Sequence, residues 1–151
     1  MQEARRQGNH QILLVEDDQA DAYITQRVFK EIAQNLHQGI VLEHSETGES
    51  ALALLEARLG DRQPLPDLIL LDLNMPRMDG FTFLEHIKVH PRLRLIPVVV
   101  LTTSSAQSDI RRSYAQGAAG YVVKSTSMDE FTHHMQHLAI YWFELVKRAA
   151  P

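Results

Sequence analysis

The chain has 151 residues and a net charge of −4, with 44% hydrophobic and 23% charged residues, which suits one folded domain and excludes a wholly disordered protein. It holds no cysteine, which excludes disulfides, thiolate metal sites and cysteine nucleophiles. No apolar run reaches the roughly 20 residues that cross a bilayer, and neither an apolar signal segment nor a long basic run is present, so we expect a cytoplasmic protein without a membrane or nucleic-acid partner.

Five short apolar runs recur along the chain and predict five strands. In chain order they are Ile12–Val15, Ile40–Leu42, Leu68–Leu71, Pro97–Leu101 and Gly120–Val123. Most of these runs are continuous rather than alternating, as expected for parallel strands that helices cover on both faces. The second run soon meets Glu43 and His44, which indicates a strand nearer an edge of the sheet.

Segments with helical spacing lie between the predicted strands. In the first of them, apolar side chains recur every four residues at Ala20, Ile24, Val28, Ile32 and Leu36. The fourth segment, from Ser105 to Gln116, has Ile110 and Tyr114 as its main apolar anchors, and Gly117 suits a left-handed helix end. Because these anchors are few, we expect this helix to shift or fray at a low cost in free energy.

The last predicted helix opens with Ser127 and Glu130 at capping-box spacing and is expected to run from Met128 to about Ala149. One apolar stripe runs along it through Phe131, Met135, Leu138, Trp142 and Leu145. Its final part is apolar almost all round, so we expect another surface to cover it. A homodimer is the prediction, and packing back onto the same domain is the alternative. The predicted interface consists of Ile140, Tyr141, Trp142, Phe143, Leu145 and Val146.

Strand and helix alternate five times, which predicts an α/β fold with a doubly wound parallel sheet, helices on both faces and an extended C-terminal helix. The predicted organisation is a flexible N-terminal tail over 1–10, one folded domain over 11–138 and a helical dimerisation extension over 139–151.

Polar side chains follow the predicted strands at the end of the sheet where doubly wound folds bind their ligands. They are Glu16, Asp17 and Asp18 after the first strand, Asp72 after the third, Thr102 and Thr103 after the fourth, and Lys124 after the fifth. Clustered carboxylates repel one another, and a hard cation such as Mg²⁺ relieves that repulsion. A carboxylate beside such a cation is also a nucleophile towards phosphorus. Singly, each residue is more often a cap or a surface group, so the prediction depends on their coincidence.

Four motifs resemble the receiver domain of bacterial response regulators: ILLVEDD (12–18), LLDLNMPRMDG (70–80), VVVLTTS (98–104) and GAAGYVVK (117–124). The resemblance runs from about Gln11 to His137. It implies a (βα)5 flavodoxin-like fold and a place in a two-component phosphorelay, in which a histidine kinase transfers a phosphoryl group to an aspartate of this chain with Mg²⁺ as the cofactor. Because no residues are left for a DNA-binding or catalytic output domain, we expect the signal to leave through the surface of this domain or to pass on as the phosphoryl group itself.

The resemblance also assigns the acidic residues. Asp72 resembles the phosphoacceptor, and Glu16 and Asp17 resemble the acidic pair that holds Mg²⁺ together with Asp72 and the backbone carbonyl of Asn74. Asn74 also occupies one of two positions that tune hydrolysis of the aspartyl phosphate in this family. Asp18 lies just beyond the acidic pair, and we expect it to cap the following helix.

The remaining site residues follow the fourth and fifth strands. Thr102 and Tyr121 resemble the switch pair, in which the hydroxyl moves towards the phosphoryl group and the ring turns inward. Lys124 resembles the lysine that contacts the phosphoryl group, and the uncharged Ser104 occupies the second position that tunes hydrolysis. Ser125 stands where the family usually has a proline, often after a cis bond. A cis bond before a residue other than proline costs about 2.5–4 kcal/mol, so the sequence leaves this geometry open.

A finer resemblance is to small response regulators paired with bacterial phytochromes. It rests on the Lys124–Ser125 pair, the segments DDQADAYITQRVFKE and PVVVLTTS, the proline-containing loop before Asp67 and the aromatic-rich end of the chain. The kinase that this resemblance implies is a phytochrome-type photoreceptor. Its identity, the downstream target, the phosphoryl lifetime and the effect of phosphorylation on dimerisation stay open.

Other classes of protein compete with a regulator. One is an inert receiver-like dimerisation scaffold. A second is a Mg²⁺-dependent phosphohydrolase, but such enzymes commonly carry a second acid two residues after the nucleophile, where this chain has Asn74. A flavin carrier would need glycines and hydroxyls after the first strand. We therefore predict a phosphoacceptor that is not an enzyme and that promotes only its own phosphorylation and dephosphorylation. His133 and His137, four residues apart, lack a third ligand and are expected to be a solvated pair.

Overall fold

The computed structural model describes residues 9–151 and contains one five-stranded sheet flanked by helices. The strands are β1 (Asn9–Val15), β2 (Gly39–Ser45), β3 (Leu68–Leu71), β4 (Val98–Thr102) and β5 (Gly120–Val123). The helices are α1 (Gln19–Leu36), α2 (Gly48–Gly60), α3 (Gly80–Val89), α4 (Gln107–Ala115) and α5 (Met128–Ile140). A 3₁₀ turn, Leu93–Leu95, precedes β4, and a π-helical turn, Tyr141–Leu145, follows α5.

The strands pair in the order β2-β1-β3-β4-β5, and every pair is parallel. The predicted doubly wound α/β fold is therefore confirmed. The chain moves from β1 to one side for β2 and then to the other side for β3, so the strand order reverses between β1 and β3. The carboxyl-terminal ends of these two neighbours meet at the position where such sheets bind ligands.

Two apolar layers enclose the sheet, because successive side chains of a strand point to opposite faces. Leu13 and Ile69 join the layer that α2 and α3 cover, whereas Leu14 and Leu70 join the layer that α1 and α5 cover. All four side chains are at most 2% exposed. This burial on both faces explains why the predicted strands are continuous apolar runs.

Helix α4 contributes little to either layer. Ser113 is its one buried residue, and Ile110 is half-buried. Tyr114 is 50% exposed, so its predicted role as an anchor is wrong: its side chain lies at the groove beside β5 and α5 rather than against the sheet. Gly117, with φ of +100°, ends the helix as predicted, and the N–H groups of Gly117 and Ala118 donate back to the carbonyls of Tyr114 and Ser113, each at 3.0 Å.

The last helix is shorter than predicted. Helix α5 ends at Ile140, one π-helical turn follows, and Val146 already has extended backbone, with φ of −93° and ψ of 152°. The expectation of a continuous helix to Ala149 is therefore wrong. A straight continuation would carry apolar side chains past the domain into solvent, whereas the turn brings part of them back to it.

The segment after α5 (residues 141–151, the tail) contacts its own domain. Trp142 and Phe143 are half-buried against the layer that α1 and α5 cover. The ring of Phe143 stacks on His10, with centroids 4.4 Å apart. Arg148 Nη1 lies 2.9 Å from Asp67 Oδ1, and Arg148 Nε donates to the carbonyl of Trp142. These contacts match the back-packed alternative for the two aromatic side chains.

The amino terminus and the peptide bonds complete the fold. Strand β1 begins at Asn9, so the last two residues of the predicted 1–10 tail are strand, and residues 1–8 of that prediction lie outside the described residues. Within residues 9–151 no peptide bond is cis, and the Lys124–Ser125 bond is therefore trans. None of the helices in this range is long and apolar enough to span a bilayer.

Candidate functional site: an acidic cleft

A polar cleft of about 470 Å³ lies at the carboxyl-terminal end of the sheet, where β1 and β3 are neighbours. Its lining residues are Glu16, Asp17, Asp18, Asp21, Asp72, Asn74, Thr103 and Lys124. Three loops supply most of them, namely those that follow β1, β3 and β5, because parallel strands all end on the same side of the sheet. We call this feature the acidic cleft.

Three carboxylates come together in the acidic cleft. Oxygens of Glu16, Asp17 and Asp72 lie within 4.8 Å of one another, and Glu16 and Asp72 are buried whereas Asp17 is exposed. Burial raises the pKa of Glu16 to about 7; a hydrogen bond from Lys124 opposes this shift, and the neighbouring Asp72 adds to it. Three carboxylate oxygens at this spacing fit a hard divalent cation, whose charge would offset their mutual repulsion.

The loop between β1 and α1 fixes the first acids. The N–H of Glu16 donates to the carbonyl of Ser45 at 3.1 Å, and His44 Nε2 donates to the carbonyl of Glu16 at 2.6 Å, so the loop is tied to the end of β2. The Asp18 side chain accepts from the N–H of Asp21 at 2.9 Å and caps α1, as predicted. Our sequence interpretation missed His44 as a support; the only signal is its place near the end of β2, at the same end of the sheet.

The loop between β3 and α3 holds Asp72 by folding back onto it. The N–H of Asp72 donates to the carbonyl of Val15, and the N–H of Gly80 donates to the carbonyl of Leu73, both at 3.0 Å. A Cβ atom at Gly80 would lie 2.5 Å from the Asp72 carbonyl oxygen, so only glycine permits this approach. Asn74, whose N–H is 3.4 Å from Asp72 Oδ1, is thereby placed in the cleft.

Lys124 reaches the cleft from the end of β5. Its Nζ atom lies 2.5 Å from Glu16 Oε1 and 2.9 Å from Asp21 Oδ2, and Asp72 is not among the carboxylates within 4.0 Å of it. Burial by itself would lower the pKa of Lys124, but the hydrogen bonds to Glu16 and Asp21 outweigh it and raise the pKa. Our sequence interpretation missed Asp21, which resembles an ordinary acid in the first turn of a helix.

The two predicted switch residues lie outside the cleft lining. Thr102 ends β4 with a fully buried side chain, and among the described residues its Oγ1 has no hydrogen-bond partner. Tyr121 lies on the neighbouring β5, burial raises its pKa, and its hydroxyl donates to the carbonyl of Ser104 at 2.9 Å. Ser104 Oγ in turn donates to Asp109 of α4 at 2.6 Å. These contacts link the end of β4 to the poorly anchored helix.

A second and more apolar groove, of about 750 Å³, runs between β5, α4 and α5. Two of the predicted interface residues, Tyr141 and Trp142, line it. His137 also lines it and stacks on His133 with ring centroids 5.4 Å apart. Within residues 9–151 these histidines join no group of three metal-binding side chains, so the pair has only the two ligands that the sequence indicated.

Comparisons with known proteins agree on one family. The model for the response regulator receiver domain matches residues 12–136. The response regulator Rcp1 of Synechocystis sp. is 40% identical over 89% of this chain and 90% of its own length, and its Mn²⁺-bound structure superposes with a TM-score of 0.81 at 37% identity, covering 93% of this chain and 99% of that chain.

Two further proteins are similar over comparable lengths. The phosphorylated cyanobacterial phytochrome response regulator RcpA superposes with a TM-score of 0.83 at 32% identity, covering 95% of this chain and all of that chain. The probable methanogenesis regulatory protein FilR2 of Methanothrix harundinacea is 37% identical over 93% of this chain and 88% of its own length. The similarity is thus to whole small regulators rather than to one part of a large protein. The chain belongs to the response regulator receiver domain family, close to Rcp1 and RcpA.

Proposed function

We propose that this protein accepts a phosphoryl group from a histidine kinase on Asp72 and acts as a single-domain regulator in a phosphorelay. The observation that carries the proposal is the meeting of buried Asp72 with Glu16 and Asp17 in the acidic cleft. Mg²⁺ held by these three carboxylates and the carbonyl of Asn74 would screen the incoming anion and stabilise charge on the transferring phosphoryl group. The Mn²⁺-bound form of Rcp1 supports a divalent cation in such a site.

The proposed chemistry is one displacement at phosphorus. A carboxylate oxygen of Asp72 attacks the phosphorus atom of the kinase phosphohistidine, the phosphorus–nitrogen bond breaks, and the departing imidazole takes up a proton. Hydrolysis by water later releases inorganic phosphate and restores the Asp72 carboxylate. Because Asn74 and Ser104 are uncharged, no carboxylate at these two positions repels the incoming group or competes for the attacking water.

The proposed readout begins at Thr102. Its buried hydroxyl lacks a partner within the described residues and gains an acceptor when a phosphoryl oxygen arrives at Asp72. A shift at the end of β4 would disturb the bond between Tyr121 and Ser104 and so move α4. That helix buries only Ser113, which makes its displacement inexpensive in free energy.

Substitution of the acceptor tests the assignment. Wild-type protein with a phosphorylated kinase and Mg²⁺ should acquire one hydroxylamine-labile phosphoryl group, and Asp72→Asn should acquire none while its melting temperature stays close to that of the wild type. Asp67→Asn, an equivalent change at the opposite end of β3, is the matched control and should be phosphorylated normally. Phosphorylation of Asp72→Asn at wild-type yield would disprove the assignment, and turnover of small phosphate esters would favour the phosphohydrolase.

The proposed donor is a phytochrome-type photoreceptor kinase. Its support is the similarity to RcpA, a phytochrome response regulator, together with the Lys124–Ser125 pair of the resembling subgroup. Phosphotransfer should be compared between a bacterial phytochrome kinase under red and far-red light and a kinase without a photoreceptor. Faster transfer from the second kinase would contradict this pairing and leave the phosphoacceptor role intact.

We also propose a homodimer that uses the tail. Tyr141 and Leu145 are 46% and 68% exposed, which leaves them available to a second copy, whereas Trp142 and Phe143 are partly covered by their own domain. Truncation after Leu138 should reduce the solution mass measured by light scattering. Because truncation also removes packed aromatic rings, Leu145→Glu is the sharper variant, and a dimer of unchanged affinity in that variant would contradict the proposal.

A further inference from the structure

We propose that Asp21 is a positioning residue for Lys124: its carboxylate holds the ammonium group away from Asp72 and so lowers the affinity of the acidic cleft for a phosphoryl group. The inference rests on the proposed function, because there Lys124 is the cation that contacts a phosphoryl group on Asp72. It adds to the site an acid from α1 that lies outside the cluster of three carboxylates.

The geometry places the ammonium on the α1 side of the cleft. Lys124 Nζ contacts Asp21 Oδ2 at 2.9 Å and Glu16 Oε1 at 2.5 Å, while no oxygen of Asp72 lies within 4.0 Å of it. The Lys124 side chain is only 12% exposed. The Asp21 side chain is 41% exposed, so water screens the pair only in part. The buried ammonium moves to another acceptor at the cost of the contacts it leaves.

The two partners of Lys124 differ once a cation is considered. Glu16 belongs to the group of three carboxylates whose oxygens lie within 4.8 Å of one another, so a cation and Lys124 share its charge. Asp21 is not part of that group. Its contact with Lys124 persists when the cleft holds a cation, and a phosphoryl group on Asp72 must then compete with Asp21 for the ammonium.

Within α1 the side chain of Asp21 contributes only its negative charge in the first turn, an effect that the control at Asp129 reproduces in α5. Asp18 caps α1, and Asp21 serves that cap with its backbone N–H. The backbone carbonyl of Asp21 accepts from Thr25 Oγ1 at 2.8 Å. Both groups remain in Asp21→Asn, which keeps the shape of the side chain and removes its charge.

The experiment measures the binding of beryllium fluoride, a phosphoryl mimic, by calorimetry at Mg²⁺ concentrations shown to be saturating for each variant. Asp21→Asn should lower the dissociation constant about threefold or more, because a partly exposed ion pair that holds Lys124 back is lost. Asp21→Glu keeps the charge and should bind like the wild type. Asp129→Asn is the matched control: it removes the same charge from the first turn of α5, where no ion pair to Asp129 is present among the described residues, and it should leave the affinity unchanged.

A second readout avoids phosphoryl chemistry. The chain has four lysines, so the ¹⁵N resonance of the Lys124 ammonium can be assigned by substitution. It should shift in Asp21→Asn and not in Asp129→Asn. Tighter binding without that shift, or equal tightening in Asp129→Asn, would show a general effect of net charge and would overturn the inference. Unchanged affinity in Asp21→Asn would overturn this inference and leave the proposed function intact. If beryllium fluoride did not bind the wild-type protein in an Asp72-dependent way, the proposed function would be overturned as well.

Discussion

The two ends of the sheet each carry an ion pair, and the pairs differ in their charge balance. At the carboxyl-terminal end, the ammonium of Lys124 faces Glu16 and Asp21, with Asp17 and Asp72 beside them. Together with Asp18, the cleft lining thus holds five carboxylates, of which Glu16 and Asp21 contact its one ammonium group. At the amino-terminal end of β3, one guanidinium, that of Arg148, meets one carboxylate, that of Asp67.

At the amino-terminal end of β3 both oxygens of the Asp67 carboxylate have partners, and we call this the complete end of the sheet. Asp67 Oδ2 accepts from the N–H of Gln11 at 2.7 Å, and Asp67 Oδ1 accepts from Arg148 at 2.9 Å. Arg148 Nε donates to the carbonyl of Trp142 at 3.1 Å. Both oxygens of this carboxylate are therefore paired, and the contact with Arg148 stabilises the packing of the tail against its own domain.

At the carboxyl-terminal end some charges and one donor have no partner among the described residues, and we call this the incomplete end. Its carboxylates outnumber its one ammonium group, and their mutual repulsion raises the free energy of the fold. Burial raises the pKa of Glu16 to about 7, and the neighbouring Asp72 adds to this shift. The hydroxyl of Thr102 also lacks a partner within residues 9–151. The comparison teaches that surplus charge and a donor without a partner lie at the end where we propose that a ligand binds, whereas paired groups lie at the end that maintains the fold.

The largest effect is expected at Gly80, which shapes the incomplete end. A Cβ atom there would lie 2.5 Å from the Asp72 carbonyl oxygen and 2.7 Å from Leu73 Cα, so Gly80→Ala should reduce the free energy of unfolding by about 3 kcal/mol. Urea unfolding measures this change. Gly60→Ala is the matched control, since nothing lies within 4 Å of its Cβ position, and it should be neutral or slightly stabilising. Equal stabilities of the two variants would contradict this account of the loop.

The next largest effect is expected from Mg²⁺ itself. A cation at about 100 times its dissociation constant should raise the free energy of unfolding by about 2.7 kcal/mol. Asp17→Asn should make the metal-free protein more stable, because it relieves repulsion with Glu16 and Asp72, and should remove most of the stabilisation by Mg²⁺. Thermal melts with and without Mg²⁺ measure both changes.

The control for this prediction lies at the complete end. Asp67→Asn should lower stability and leave the response to Mg²⁺ as in the wild type, because Asp67 is part of a satisfied pair far from the acidic cleft. If Asp17→Asn destabilised the metal-free protein, the acidic cleft would not carry a surplus of repulsion, and the contrast between the two ends would fail.

The sequence predicted most of the fold and the core of the acidic cleft because both depend on local patterns. Continuous apolar runs marked the strands, and the rule that ligands bind after the strands pointed to Asp17, Asp72 and Lys124. The sequence did not predict the roles of Asp21 and His44 in the site. Their contacts depend on how α1 and β2 approach the first loop, and neither residue type nor spacing encodes that approach.

The sequence also did not predict where the last helix ends, and the reason is related. Helical spacing continues past Ile140, so a local pattern gives no reason for the helix to stop there. The stop coincides with contacts that are distant in sequence: Arg148 meets Asp67 across 81 residues, and Phe143 stacks on His10. Tertiary contacts of this kind override helical propensity, and the spacing of apolar residues does not predict them.

A smaller effect is expected from removing the ion pair at the complete end. Arg148→Gln should reduce the free energy of unfolding by about 1 kcal/mol, because it removes a partly buried ion pair. Lys147→Gln, a neighbouring exposed cation, is the matched control and should be close to neutral. A double-mutant cycle with Asp67→Asn measures the coupling, and additive effects of the two changes would show that the pair does not hold the tail.

The smallest effect, and one of opposite sign, is expected at Thr102. Thr102→Val replaces a buried hydroxyl that has no partner within the described residues by a methyl group of similar size, so the free energy of unfolding should rise by about 0.5 kcal/mol. The same variant should lose the change around Tyr121 that beryllium fluoride and Mg²⁺ produce, because the donor that senses the phosphoryl group is gone. Thr126→Val, at an exposed threonine outside the acidic cleft lining, is the matched control and should alter neither quantity. A loss of stability in Thr102→Val would mean that the hydroxyl already has a hydrogen-bond partner. The incomplete end would then hold a surplus of negative charge but no donor available to a phosphoryl oxygen.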